Sequence, residues 1–144
     1  LSALDWVGIF GIELFLTEDY QVLVNEIAPR THNSGHYTLD ACDISQFAMH
    51  LKAVTGETLT SPQMQAKAAV MVNLLGYESA ENQYLDKRQQ LSSFPNTHVY
   101  WYGKTQARPG RKLGHVTVLG ESIAEASAIA DQVSEIWYSH DSHW

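Results

Sequence analysis

Two glutamates stand inside apolar runs near the start of the chain, where a charged side chain is unexpected. Glu13 interrupts GIELFL, Glu26 interrupts VLVNEIA, and the polar residues TEDY separate the two runs. A hairpin that places these glutamates opposite each other brings together two repelling carboxylates, at an added desolvation cost if the strands are partly buried. A divalent cation between them would cancel the repulsion, and Mg²⁺ is commonly held by one or two carboxylates together with substrate phosphates. The pattern therefore predicts a metal site at Glu13 and Glu26, and the alternative is two glutamates on the solvent side of a hairpin.

The hairpin is predicted to turn between Asp19 and Tyr20, within the four-residue connection TEDY. This register pairs Glu13 with Glu26, Phe15 with Val24, and Thr17 with Val22. Asn25 offers a further oxygen beside Glu26, but strand alternation points it to the opposite face unless the strand is bulged there. Asn25 therefore joins the acidic pair only if such a bulge is present.

A polar loop follows the second glutamate and carries several hydrogen-bond donors. Pro29 gives the loop a rigid entry, and Gly35 gives it flexibility. This composition is typical of a clamp for an anion or a polar substrate. A zinc site at His32 and His36 is a weaker alternative, because the loop composition opposes the helix that their spacing needs and no third ligand is adjacent. The candidate residues of the loop are Arg30, His32, Asn33, Ser34 and His36.

The stretch KTQARPGRK, residues 104–112, concentrates positive charge in an acidic chain. It holds four of the nine lysines and arginines, whereas the formal net charge of the chain is −7. Such a cluster indicates an anion-binding site, and the alternative is a solvated loop. The negative net charge argues against broad binding of nucleic acid, which requires positive charge along the phosphates. The four cations are Lys104, Arg108, Arg111 and Lys112.

These candidate residues must be positioned by short strands and a few helices. The predicted strands, rich in branched and aromatic residues, are residues 6–16, 21–28, 68–76, 97–104 and 113–120. The predicted helices, from apolar residues at helical spacing, are residues 43–55 and 121–137, with a short helix or turn region at 80–91. Asp43 or Ser45 is the expected cap of the first long helix, and Gly56 is its expected stop.

Two units are predicted, residues 1–62 and 63–144, because residues 57–65 carry no periodic pattern. The final residues YSHDSHW are predicted to fray. The first residues, LSALDWVG, lack Met and enter a strand pattern almost at once, so we expect a fragment of a longer chain.

The composition is that of an ordinary globular protein. The chain has 144 residues, of which 44% are hydrophobic and 17% are charged. No apolar stretch approaches the roughly 20 residues that span a bilayer. The single cysteine, Cys42, agrees with a reducing compartment. We therefore expect a soluble, cytoplasmic protein.

Two segments of the chain resemble one family of ligases. ELFLTEDYQVLVNEIAPRTHNSGHYTLDACDISQF, residues 13–47, and WYGKTQARPGRKLGHV, residues 101–116, resemble the C-terminal part of the 5-(carboxyamino)imidazole ribonucleotide synthases. These are ATP-grasp ligases of purine biosynthesis. Other ATP-grasp enzymes share the glutamate pattern, whereas NEIAPR-x-HNSGH together with RPGRK-x-GH narrows the resemblance to this family. It covers the whole chain, but the family's N-terminal domain and the first half of its ATP-grasp domain have no counterpart here.

The resemblance implies an α+β fold with the C-terminal half of an ATP-grasp domain and a small β-rich domain with a terminal helix. The first part would be an antiparallel sheet with a helix. The family's reaction is implied as well: ATP and bicarbonate give carboxyphosphate, which carboxylates the amine of aminoimidazole ribonucleotide. ATP and Mg²⁺ are the implied cofactors, and the full-length enzyme would be a homodimer with no nucleic-acid or membrane partner. The isolated chain is predicted to be inactive and to expose apolar surface, because the adenine pocket and the lysines that grip the phosphates lie upstream in the family.

The resemblance also implies a role for each candidate residue. The metal ligands would be Glu13 and Glu26, and the nucleotide contacts Asn25 and Glu26. Arg30 and His32 would be catalytic, and Asn33, Ser34 and His36 would bind bicarbonate or the aminoimidazole. Arg108, Arg111 and Lys112 would hold the ribonucleotide phosphate. The stretch between Lys104 and Arg108 is one residue longer than the family pattern, so Lys104 has no firm role. The alternatives are a fragment of another ATP-grasp ligase, such as a formate-using one, and a non-catalytic nucleotide- or metal-binding module.

Overall fold

The computed structural model describes Ala3 and residues 5–139, which form two compact units. Unit 1 ends at Gln65 and unit 2 begins at Ala66. The assignment of residues 1–62 and 63–144 to two named domains stays a prediction. In the described part of the chain, no helix has the length and the apolar character that a bilayer crossing requires.

Unit 1 contains a two-stranded antiparallel sheet followed by short helices. Its elements are β1 (Gly11–Leu16), β2 (Val22–Ala28), a 3-10 turn at Asn33–Gly35, α1 (Thr38–Ala41) and α2 (Gln46–Thr55). The predicted start of the first strand at residue 6 is wrong. Gly8 has a φ of +144°, and the Ile9 N–H donates to the His50 ring instead of a neighbouring strand. The predicted loop of residues 29–38 contains the 3-10 turn and the first residue of α1.

The predicted pairing of Glu13 with Glu26 is confirmed, but the register changes immediately beyond it. Leu14 pairs with Val24, so Asn25 is an extra residue in β2, which is a β-bulge. The predicted pairs Phe15–Val24 and Thr17–Val22 are wrong for this reason. The observed pairs are Phe15–Leu23 and Leu16–Val22.

The α2 helix begins and ends where its caps predict. The Ser45 hydroxyl accepts a hydrogen bond from the Ala48 N–H, and Gly56 adopts a left-handed conformation with a φ of 75°. Gly56 donates its N–H to the Ala53 carbonyl, which closes the last turn. These two residues fix the length of α2.

Unit 1 exposes much of its apolar surface, as predicted. On α2, Phe47, Leu51 and Val54 are exposed. Hairpin side chains with exposed fractions of 50–68% are Ile12, Leu14, Phe15, Leu16, Val22, Leu23, Val24 and Ile27. The hairpin and the helix therefore do not bury their apolar residues within the described part of the chain.

Unit 2 is a three-stranded antiparallel sheet with two helices, in the strand order β3-β5-β4. Its elements are β3 (Ala68–Leu75), α3 (Leu85–Ser92), β4 (Thr97–Trp101), β5 (Lys112–Gly120) and α4 (Ile123–Tyr138). Residues 113–118 of the central strand are all buried. Trp137 on α4 is fully buried and donates its ring N–H to the Leu75 carbonyl at 2.8 Å. The predicted α+β class is confirmed.

Predicted ends in unit 2 also need correction, and α4 begins at Ile123 instead of residue 121. The strand predicted to reach residue 104 ends at Trp101, because Gly103 takes a left-handed conformation with a φ of 69°. The helix predicted to end at residue 137 continues to Tyr138. The remaining predicted frayed residues, 140–144, lie outside the described residues.

Candidate functional site

The facing glutamates of the hairpin both approach one histidine ring. The Nε2 atom of His32 lies 3.4 Å from Glu13 Oε1 and 3.6 Å from Glu26 Oε1. The His32 side chain is only 12% exposed, whereas the two glutamate side chains are 41% and 50% exposed. Since one ring nitrogen reaches both carboxylates, the two acids point to the same side of the hairpin. We call Glu13, Glu26, Asn25 and His32 the carboxylate cluster.

The bulge brings Asn25 into the carboxylate cluster. Its amide Nδ2 donates a hydrogen bond of 3.0 Å to Glu13 Oε2. In a regular strand, consecutive side chains point to opposite faces, so Asn25 and Glu26 could not both turn towards Glu13. A bulge re-aims one side chain, which gives this face of the hairpin a third oxygen-bearing group.

His32 is fixed against the start of β1. A Cβ atom at Gly11 would lie 2.6 Å from the His32 Cβ and 2.7 Å from its Cγ, so glycine is needed at this contact. The ring Nδ1 accepts from the Ser34 N–H at 3.4 Å and lies 2.8 Å from the Ser34 Oγ. A backbone N–H can only donate, so the neutral ring carries its proton on Nε2, which faces the two carboxylates.

The rest of the loop lies close to the carboxylate cluster. Arg30 Nη2 lies 4.0 Å from Glu26 Oε1, and its Nη1 donates to the Thr31 carbonyl at 3.0 Å. Asn33 and Ser34 form the 3-10 turn, and the His36 N–H donates to the Asn33 carbonyl at 3.1 Å. The structure therefore places Arg30 and Ser34 against the carboxylate cluster, and Asn33 and His36 in the same loop.

Gln46 is the residue of this site that sequence reasoning missed. It is the first residue of α2 and only 7% exposed. Its side chain accepts a hydrogen bond from the His32 N–H and donates one to the His32 carbonyl. The one available signal was a glutamine directly after the cap residue Ser45, but its burial depends on the path of the loop.

The oxygen donors of the carboxylate cluster fit Mg²⁺. Across Ala3 and residues 5–139, no group of three or more His, Cys, Asp or Glu side chains is arranged to hold a metal ion. Mg²⁺ is held by hard oxygen ligands and takes few of them from the protein, since phosphates and water complete its octahedron. Glu13, Glu26 and Asn25 offer such oxygens on one face.

The basic stretch of residues 104–112, which we call the cation turn, leads from β4 into β5 in unit 2. A Cβ atom at Gly76 would lie only 2.4 Å from the Arg108 carbonyl oxygen. Gly76 also donates its N–H to the Arg111 carbonyl at 2.8 Å and accepts from the Gly110 N–H at 2.9 Å. The end of β3 therefore holds the backbone of the cation turn through a close contact that only glycine permits.

Side chains also bond within the cation turn. Lys104 Nζ donates to the Lys112 carbonyl at 2.6 Å, and Arg111 Nη1 donates to the Gln106 carbonyl at 2.9 Å. Arg108 is exposed and lines an open depression of about 350 Å³. Lys104, which has no firm role by resemblance to the family, is thus bonded to the same turn as the other three cations.

A buried histidine lies directly after the cation turn. His115 is 2% exposed, and its Nδ1 lies 2.8 Å from the Tyr102 hydroxyl. The Tyr100 ring stacks on the same imidazole at a centroid distance of 4.6 Å. Burial raises the pKa of the Tyr102 hydroxyl above its usual range, so this group stays protonated. Sequence reasoning included this histidine in the family motif but did not predict its contacts.

Comparisons with known proteins match the chain in two separate parts, one in unit 1 and one in unit 2. A model of the ATP-grasp domain matches residues 1–47, and a model of the phosphoribosylaminoimidazole carboxylase C-terminal domain matches residues 69–129. The N5-carboxyaminoimidazole ribonucleotide synthase of Synechocystis sp. is 51% identical to the chain, over 96% of this chain and 39% of that protein. The chain belongs to the N5-carboxyaminoimidazole ribonucleotide synthase family.

Solved structures of this synthase family have the same fold. The synthase of Aspergillus clavatus, crystallised with ADP and 5-aminoimidazole ribonucleotide, aligns at a TM-score of 0.83 with 35% identity, over 92% of this chain and 35% of that one. The Thermotoga maritima synthetase aligns at 0.82 with 43% identity, over 94% of this chain and 38% of that one. The chain therefore spans less than two fifths of the length of each of these relatives.

Proposed function

We propose that this chain supplies the metal-binding hairpin and the ribonucleotide-binding turn of an ATP-dependent ligase. The ligase carboxylates 5-aminoimidazole ribonucleotide with bicarbonate and gives N5-carboxyaminoimidazole ribonucleotide, ADP and phosphate. The observation that carries the proposal is the approach of Glu13 and Glu26 to the single ring nitrogen of His32. A paired acidic site of this kind is what phosphoryl transfer to bicarbonate needs, because the reaction depends chiefly on charge neutralisation and positioning.

In this proposal, Glu13 and Glu26 hold Mg²⁺, and Asn25 and Glu26 contact the nucleotide. The bound ion would neutralise phosphate charge during transfer. Asn25 keeps the Glu13 carboxylate turned towards this face through its 3.0 Å hydrogen bond. The neutral amide would contact the nucleotide without adding a third negative charge to the pair.

The loop after β2 is proposed to handle bicarbonate and the amine. The planar, positively charged guanidinium of Arg30 can stabilise the anionic carboxyphosphate through paired N–H groups. His32 holds an N–H towards the acidic pair, and Asn33, Ser34 and His36 present further polar groups for the substrates. Arg30 and His32 are the proposed catalytic residues of this chain.

The cation turn is proposed to hold the phosphate of the ribonucleotide. Arg108 and Arg111 can each bind a phosphate through two parallel N–H groups, and Lys112 adds a point charge. The Aspergillus clavatus relative, crystallised with 5-aminoimidazole ribonucleotide, supports this substrate class. The proposal further includes a homodimer for the complete ligase and a location in the cytoplasm, although one relative, from Vigna aconitifolia, carries a chloroplastic name.

A direct assay tests the proposal. The complete ligase that carries this chain should release phosphate from ATP in the presence of bicarbonate and 5-aminoimidazole ribonucleotide, and formate should not replace bicarbonate. Release with formate would assign the chain to a formate-using ATP-grasp ligase instead. The isolated chain of 144 residues should show neither turnover nor tight binding of Mg-ATP. A micromolar dissociation constant for the isolated chain would favour a stand-alone nucleotide-binding module.

A further inference from the structure

Gln46 makes three side-chain hydrogen bonds to the loop that follows β2. Its Oε1 accepts from the His32 N–H, and its Nε2 donates to the His32 carbonyl, both at 2.8 Å. The same Nε2 lies 2.8 Å from the Nδ1 atom of His36. One buried amide therefore joins the histidine of the carboxylate cluster to a second histidine of the loop.

The backbone of His32 fixes the orientation of the Gln46 amide. A backbone N–H can only donate and a carbonyl can only accept, so a flipped amide would face donor with donor and acceptor with acceptor. The second N–H of Nε2 then points at His36 Nδ1, which must accept. Neutral His36 therefore carries its proton on Nε2.

The surroundings of Gln46 hold its amide and its neighbours in place. A Cβ atom at Gly35 would lie 2.7 Å from the Gln46 Oε1, so the loop can pass this close to the amide because residue 35 is glycine. The Gln46 N–H donates to Thr38 Oγ1 at 2.9 Å, and that hydroxyl donates to the Gly35 carbonyl at 2.6 Å. The His36 ring stacks on Phe47 at a centroid distance of 5.6 Å and an angle of 21°, which restrains the ring plane as well.

We propose that Gln46 is a positioning residue of the ligase, which holds His32 beside the acidic pair and presents His36 to the substrate as an Nε2–H donor. This inference rests on the function proposed above, since it deepens the role of the same loop. The neutral amide is essential to it. A carboxylate at this position could still accept from the His32 N–H, but it would face the His32 carbonyl without a donor and would require a proton on His36 Nδ1.

The first test is the tautomer of His36 in the complete ligase. Histidine labelled with ¹⁵N is observed by long-range ¹H–¹⁵N correlation near pH 8.5, about two units above the usual histidine pKa, and a His36→Gln spectrum assigns the signals. The unmodified ligase should show the Nε2–H form, and Gln46→Glu should shift the ring to the Nδ1–H form. The Nδ1–H form in the unmodified ligase would overturn the inference. This measurement needs no turnover, so it stands even if the proposed substrates are wrong.

The second test is kinetic, with a matched substitution as its control. Gln46→Glu should lower kcat by about 10- to 100-fold and change the KM for ATP little, because loop residues would be misplaced while the nucleotide contacts remain. Gln90→Glu makes the same chemical change at an exposed position of α3 and should match the unmodified ligase. Equal kcat values for Gln46→Glu and Gln90→Glu would refute the positioning role. No turnover in the unmodified ligase would refute the proposed function and leave the tautomer result to decide the role of Gln46.

Discussion

The Asn25 amide donates a hydrogen bond to the Glu13 carboxylate on the neighbouring strand, across a distance of 3.0 Å. This contact exists because β2 contains one residue more than β1 between the paired glutamates and the end of the hairpin. The donor set of the carboxylate cluster therefore depends on a backbone irregularity as well as on side-chain identity. The first two predictions concern this cluster.

Glu26→Gln in the complete ligase should lower kcat by at least about 100-fold, because a neutral amide cannot balance the charge of a bound cation. The fold should remain intact, since the Glu26 side chain is 50% exposed. Steady-state phosphate release and circular dichroism measure the two effects. Glu18→Gln, an exposed change in the hairpin turn, should leave kcat unchanged. Near-normal turnover in Glu26→Gln would remove the metal assignment.

Gly11→Ala should lower both the stability and the activity of the ligase. The added methyl group would lie 2.6 Å from His32 and push its ring away from the glutamates. We expect a loss of about 1–3 kcal/mol in the free energy of unfolding, typical of overpacking, and a fall in kcat. Gly56→Ala is the control. A methyl group at residue 56 would meet no atom, but the φ of 75° is unfavourable for alanine, so the variant should lose about 1 kcal/mol in the free energy of unfolding and keep its kcat. Denaturant unfolding and turnover assays separate these outcomes, and full activity in Gly11→Ala would contradict the proposed placement of His32.

Gly76→Ala should weaken binding of the ribonucleotide. Its methyl group would meet the backbone carbonyl of Arg108 at 2.4 Å, so the cation turn must move. We expect kcat/KM for 5-aminoimidazole ribonucleotide to fall by about 10- to 100-fold, with the KM for ATP nearly unchanged. Gly103→Ala is the control: it lies between β4 and β5, next to the cation turn, and no atom lies within 4 Å of its added methyl group, so this variant tests whether the loss of any nearby glycine has the same effect. An equal rise of both KM values in Gly76→Ala would argue against a phosphate site in this turn.

The free energy of unfolding should fall at alkaline pH because of two tyrosines in unit 2. Burial raises the pKa of Tyr84, which also bonds Glu78 at 3.0 Å, and burial raises the pKa of Tyr102. The unfolded chain releases these protons near pH 10, before the folded chain does. Stability should therefore be unaffected by these groups below about pH 9 and should decline above about pH 10. Urea unfolding of the unmodified chain and of Tyr84→Phe measures the free energy of unfolding at each pH. The variant should lose less stability than the unmodified chain as the pH rises above about 10.

The control for the alkaline effect is Tyr20→Phe, because Tyr20 is 83% exposed in the hairpin turn. Its dependence of stability on pH should match that of the unmodified chain. If Tyr84→Phe and Tyr20→Phe decline equally, the buried hydroxyl of Tyr84 does not contribute to the alkaline loss.

The sequence was sufficient for features that depend on local patterns. Apolar runs and a polar connection predicted that Glu13 faces Glu26, and capping rules predicted the ends of α2 at Ser45 and Gly56. Cations crowded between two apolar runs predicted the cation turn. Each of these signals is contained in residues that are close together in the chain.

The remaining features depend on tertiary contacts. The bulge at Asn25 is accompanied by a side-chain bond to the opposite strand, and the burial of Gln46 follows from the loop that folds over it. The late start of β1 reflects a bond between Ile9 and His50, which are far apart in sequence. No window of neighbouring residues contains that information, because each partner is defined only after the chain has folded.

The extra residue in β2 also affects how relatives should be aligned. Two proteins can both have the two glutamates and still differ in chemistry if one of them lacks the bulge residue at the position of Asn25. A gap placed one column away from Asn25 would equate its amide with the exposed apolar side chain of Val24 or with the Glu26 carboxylate. Comparisons across this superfamily therefore need to be anchored on strand geometry at this point, and percentage identity alone will not reveal which members keep the amide.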